Sequence, residues 1–136
     1  MSFTEKDYNK LSQQIIEACI EVHNELGPGL MESVYQVCLI AVLKKKNLYV
    51  QSQILLPVVF KGEKLDKEFV IDLLIEDKII LELKSVEIIL PVHEAQLVTY
   101  LKLADKKLGL LINFNVPMLK QGIRRKINGN INSVQL

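Results

Sequence analysis

The chain has 136 residues, 24% of them charged, with a net charge of +1 and no tryptophan. That length suffices for one domain with a sizeable core, and the near-neutral balance excludes a globally basic surface, so any basic patch is local. No apolar run approaches the ~20 residues of a membrane span, and the polar start Met1-Ser2-Phe3-Thr4-Glu5-Lys6-Asp7 lacks the apolar stretch of a signal peptide, so a cytoplasmic protein is expected.

In chain order, residues from about Thr4 to Leu26 read as a helix. Tyr8, Leu11, Ile15, Cys19, Val22 and Leu26 recur at three- and four-residue steps and form one apolar stripe. Thr4 is a plausible N-cap, and Gly27-Pro28-Gly29 stops the helix. A second helix is predicted from about Met31 to Lys46, its Lys44-Lys45-Lys46 end suiting the negative pole of the helix dipole. Cys19 and Cys38 fall in these helices without a Cys-x-x-Cys partner, as two free thiols of a reducing compartment would.

The period then changes. Tyr49 to Phe60 reads as a strand in which Pro57 marks an edge or a bulge, and Lys61-Gly62-Glu63 as a hairpin turn. Strands follow at roughly 65–75 and 79–85. Pro91 to Ala104 is helical again, and the apolar run Leu108 to Phe114 is a buried strand, parallel to its neighbours. From Val116 onward the chain carries Lys120, Arg124, Arg125 and Lys126 without an acid and reads as a short basic tail. The order α-α-β-β-β-α-β predicts an α/β (α+β) fold, a four-stranded mixed sheet flanked by helices, in a single domain over 1–136.

Two strands hold the chemistry. Phe69-Val70-Ile71-Asp72-Leu73-Leu74-Ile75 and Ile79-Ile80-Leu81-Glu82-Leu83-Lys84-Ser85 are apolar except for Asp72, Glu82 and Lys84. Glu82 and Lys84 share a strand face. If Glu76-Asp77-Lys78 is a three-residue loop, Asp72 stands opposite Glu82 and all three charges converge; a two-residue loop would send Asp72 to the other face. Two such carboxylates make a hard-oxygen site suited to Mg²⁺ or Mn²⁺, and a lysine beside them can orient a water or steady a phosphoryl oxygen. Yet Glu-x-Lys on a strand is commonly a mere surface ion pair, and from these residues alone that reading outweighs catalysis. Glu32 and Tyr35 share a face at the start of helix 2; Glu32 is either a further carboxylate for the metal or a residue favoured by a helix N-terminus. Gln96 and Tyr100, spaced i, i+4, share a helix face, placed either to hydrogen-bond a phosphate or a metal-bound water or simply as helix surface, and His23 and His93 lack metal-ligand spacing.

Gly29-Leu30-Met31-Glu32-Ser33-Val34-Tyr35 resembles the signature of the GxxExxY family of small prokaryotic proteins. The likeness continues through Ile71-Asp72-Leu73-Leu74, Leu81-Glu82-Leu83-Lys84, His93-Glu94-Ala95-Gln96 and Leu110-Leu111-Ile112-Asn113-Phe114, and runs from helix 1 to about Ile127. That family is similar to the PD-(D/E)XK nuclease superfamily, and the resemblance implies an αβββαβ core. It also implies a Mg²⁺- or Mn²⁺-dependent nuclease acting on nucleic acid, DNA in the first place. Asp72, Glu82 and Glu32 would then be metal ligands and Lys84 the catalytic lysine, with Gln96, Tyr100 and Tyr35 at the substrate cleft. The rival is a non-catalytic module binding nucleic acid or a protein on the same fold, and a homodimer is an expected assembly. Two departures stand out: Val70 occupies a position where similar sequences are expected to carry arginine, and Ile71 precedes the metal-binding Asp where the superfamily often has proline.

Overall fold

Thr4 starts the first helix as the spacing predicts. Its Oγ1 accepts from Asp7 N–H (3.1 Å), and the Asp7 carboxylate accepts from Thr4 N–H (2.9 Å), a reciprocal cap. The structure, a computed structural model, describes residues 2–129, so Met1 and the end of the expected tail, 130–136, lie outside it. Helix α1 spans Glu5–Leu26 and α2 Glu32–Lys45; strands β1 (Val50–Phe60), β2 (Glu63–Ile75) and β3 (Ile79–Lys84) follow, then α3 (Pro91–Ala104) and β4 (Leu108–Asn113). A single 3₁₀ turn over Leu119–Gly122 leads into β5, Ile123–Ile127.

The sheet is mixed, in the order β1-β2-β3-β4-β5, with β3 and β4 parallel and every other pair antiparallel. Helix α3 is the crossover that the parallel pair requires. Five strands replace the expected four because the basic segment is no tail. Arg124 and Lys126 turn to the α3 face, where Lys126 pairs with Glu94 (2.7 Å), while Arg125 turns to α1 and donates to Asn9 (3.1 Å). With only two isoleucines, this strand lacks the apolar density by which the others announce themselves. Pro57 does sit on an edge strand, and the β1–β2 register shifts between Pro57 and Val59.

The sheet buries two cores. On one face α1 and α2 cover Leu73, Leu81, Leu83 and Phe114 with Ile15, Cys19, Tyr35 and Leu39. On the other, α3 lays Leu97, Tyr100 and Leu101 over Ile71, Ile80 and Leu111. Gly109 eases that second contact: a Cβ there would meet Leu97 Cδ1 at 2.7 Å, so any other residue would force the Leu97 side chain to shift. Both cysteines are free; burial pushes the Cys19 thiol up to about 12. Among the described residues no helix is long and apolar enough to cross a membrane.

Candidate active site

Asp72 stands where β2 breaks its own rhythm. Leu73 and Ile75 face the α1/α2 core, yet Ile71 and Phe69, which would share their face in a regular strand, pack on the α3 side. Both ladders falter at this point. The β2–β3 pairing holds through Ile75–Ile79, Leu74–Ile80 and Leu73–Leu81 and stops there. On the other side, β1 skips the position opposite Asp72, where Gln53 sits in the left-handed region at φ 51°.

Carboxylates fill the gap. Asp72 N–H donates to Glu82 Oε2 (2.8 Å), and Leu83 N–H donates to Asp72 Oδ2 (2.8 Å). The Ile75–Ile79 register is that of the three-residue loop, so Asp72 meets Glu82. Each side chain satisfies a backbone donor that the interrupted ladder leaves unpaired, and each keeps a second oxygen for other work.

The electrostatics follow from burial. Glu82 is only 4% exposed. Burial first, and the neighbouring Asp72 second, push its carboxyl up to about 8, against the pull of the Asp72 N–H bond and of Lys84. Asp72 is raised in the same way, by burial above all, with the Leu83 N–H and Lys84 opposing. Glu32 adds to the negative field at both. Three carboxylates against one ammonium leave a site that favours cations.

The Gly29-x-x-Glu32-x-x-Tyr35 pattern has a mechanical explanation. Gly29 lies at φ 95°, which a side chain would resist. The Tyr35 ring is fully buried and stacks on Phe114 at 4.4 Å. Its hydroxyl donates to Gly27 O (2.6 Å) and accepts from Leu30 N–H (3.2 Å). Ser85 Oγ donates to Leu30 O (2.5 Å) and ties the same loop to the end of β3. Together these bonds fix where α2 begins and so where Glu32 projects. A cleft of about 580 Å³ opens here, lined by Glu32, Met31, Ser33 and Ser85 among others, but by neither Asp72 nor Glu82. On the α3 side, Tyr100 is buried against Phe69 (5.8 Å); burial, then the Glu82 and Asp72 charges, raise its phenol. Gln96 lies exposed one turn earlier.

The family model described as the PD-(D/E)XK nuclease superfamily matches residues 9–126. The chain belongs to the PD-(D/E)XK nuclease superfamily. A solved structure, "Crystal structure of SSO0001", aligns with a TM-score of 0.49 at 21% identity, over 76% of this chain and 54% of that one. The chain thus spans about half the length of that structure. No curated protein matches it.

Nucleases of the PD-(D/E)XK superfamily typically use divalent metal ions. The donor set fits such an ion. Mg²⁺ asks for one or two carboxylates and keeps several waters, and Asp72 and Glu82 supply two, held together at a cost that a cation would relieve. Glu32 stands apart from them: among the described residues, no three His, Cys, Asp or Glu side chains are close enough to hold an ion together. Tyr35, expected at the substrate cleft, instead sits in the core with its hydroxyl committed to the loop, so it shapes the site without an exposed atom to offer. Sequence reasoning missed Gln53 and Ser85. Nothing in a run such as Gln51-Ser52-Gln53 marks a left-handed residue, and a serine bonded to a distant carbonyl leaves no periodic trace.

Proposed function

We propose that this single domain is a metal-dependent nuclease of the GxxExxY branch, hydrolysing phosphodiester bonds in DNA. The observation that carries the reading is the Asp72–Glu82 pair, two carboxylates bedded in aliphatic strand, Glu82 accepting from the Asp72 N–H and Asp72 from the Leu83 N–H. Isolated charges in such surroundings cost several kcal/mol unless paired or metal-bound. Asp72 and Glu82 hold Mg²⁺ or Mn²⁺, and Glu32 assists through the field it adds or through a water. The ion, when bound, supplies neutralisation of phosphoryl charge and a more acidic water. Lys84, on the same strand face as Glu82, orients the attacking water and steadies the phosphoryl oxygen. Gln96 and Tyr100 shape the substrate cleft on the α3 side.

A second reading, a non-catalytic module that binds nucleic acid or a protein, draws support from Val70. This residue is 39% exposed where similar sequences are expected to offer an arginine. Cleavage of labelled single-stranded, double-stranded and branched DNA in Mg²⁺ or Mn²⁺, beside Lys84→Ala, separates the two. Cleavage that disappears in the variant supports the nuclease. Equal cleavage by both proteins removes Lys84 from the mechanism, and none by either favours the binding module.

A further inference from the structure

The two edges of the sheet differ in charge, although Pro57 and the bulge beside it interrupt the β1 edge at one point. Strand β5 carries Arg124, Arg125 and Lys126 within five residues, which guards an edge against adding strands. Strand β1 is more than twice as long, at 11 residues, and holds no charge at all. Its far end is also uncovered. Beyond the bulge at Pro57, every residue from 59 to 68 is exposed, Val59, Phe60 and Leu65 among them. A two-stranded ribbon with both faces in water is marginal by itself.

We propose that β1 is a self-association edge, pairing antiparallel with β1 of a second copy of this chain. The missing charges select this occupant. Around a two-fold axis, residues of β1 face residues of the same strand, so any charge near the axis would oppose its own like, which destabilises a sheet. A strand meant for a charged partner would carry the complement, and one meant for phosphates would carry cations. The ribbon from 57 to 68 offers neither: Lys61, Lys64 and Lys67 are balanced by Glu63, Asp66 and Glu68.

Antiparallel edge pairing joins the two five-stranded sheets into one of ten and keeps their α3 faces on the same side. The two copies of β2 then lie three strand spacings apart, roughly 14 Å. Both Asp72–Glu82 pairs therefore look towards one surface.

Sedimentation velocity of the whole chain over a concentration series tests this, beside Leu55→Lys and Val59→Lys. Both residues are more than half exposed, at 55% and 53%, and each substitution puts a charge on an edge that now carries none. The expected result is a concentration-dependent dimer that both variants convert to monomer, while circular dichroism stays that of the parent and melting stays cooperative but loses its dependence on concentration. If Leu55→Lys fails to fold, Val59→Lys, beyond the covered part of the sheet, decides alone. A chain that stays monomeric throughout, or a dimer that survives Val59→Lys, overturns the proposal. Neither outcome depends on whether the protein cleaves DNA.

Discussion

Strand β2 crosses two environments. From Glu63 to Glu68 it carries three acids and two lysines, all exposed, in a ribbon that no helix covers. From Ile71 to Ile75 it carries a single charge, Asp72, among four buried aliphatic side chains. The outer charges are exposed to water and incur no burial cost. The inner one displaces two ladders, takes a backbone N–H from the next strand and helps raise Glu82 to about 8. On one strand, then, charge density says little about function, and the surroundings of each charge say a great deal.

Substitutions along this gradient sharpen the contrast. Lys84→Ala should have the largest effect, lowering the DNA cleavage rate by about 10²–10⁴-fold, the scale of a positioned proton-handling group. Single-turnover kinetics would measure it, and the fold should survive because Lys84 is half-buried at a strand end.

Glu82→Gln comes next, through its effect on the pH dependence of stability. With its carboxyl at about 8 in the folded chain and near 4.5 when unfolded, Glu82 keeps a proton in the native state that the unfolded chain has released. Its contribution is therefore full below pH 4.5 and is lost as pH rises towards 8, by up to ~1.4 kcal/mol per pH unit. Urea titrations across this window should show that slope in the parent and a flatter one in the variant. Mg²⁺ competes with the same proton, so the stabilisation it confers should grow as pH rises.

Tyr35→Phe removes the hydroxyl that holds Gly27 O and Leu30 N–H and should cost about 1–3 kcal/mol in the same titrations. Asp66→Asn, on the exposed stretch of β2, should fall within about 0.5 kcal/mol of the parent. A large effect there would mean that the outer ribbon is not merely solvated.

Much of this was legible in the sequence where periodicity is strong. The Thr4 cap, the stop at Gly27 and the bounds of α3 follow from spacing and turn chemistry, while the meeting of Asp72 with Glu82 follows only once the loop between them is known to be three residues long. What stayed hidden has local physical causes. Ile123-Arg124-Arg125-Lys126-Ile127 is a strand because it pairs with β4, its long cations reaching Asn9 and Glu94, and no pattern within five residues reveals that. The break in β2 carries no glycine or proline to mark it; it is visible only once both flanking ladders are laid down. Tyr35 reads as a neighbour of Glu32 on one helix face, but Phe114, far along the chain, turns its ring into the core. The family resemblance named Glu32 as a metal ligand; from the start of α2 it adds to the field at Asp72 and Glu82, yet among the described residues it forms no group of three ligands with them.

Isothermal titration of the chain with Mn²⁺ above pH 8, where Glu82 is ionised, alongside Asp72→Asn, tests the central claim most directly. Our account predicts saturable binding of one ion per chain that Asp72→Asn abolishes while the melting curve without metal stays cooperative. No binding by the parent, or equal binding by both proteins, would mean that Asp72 and Glu82 are not the metal site.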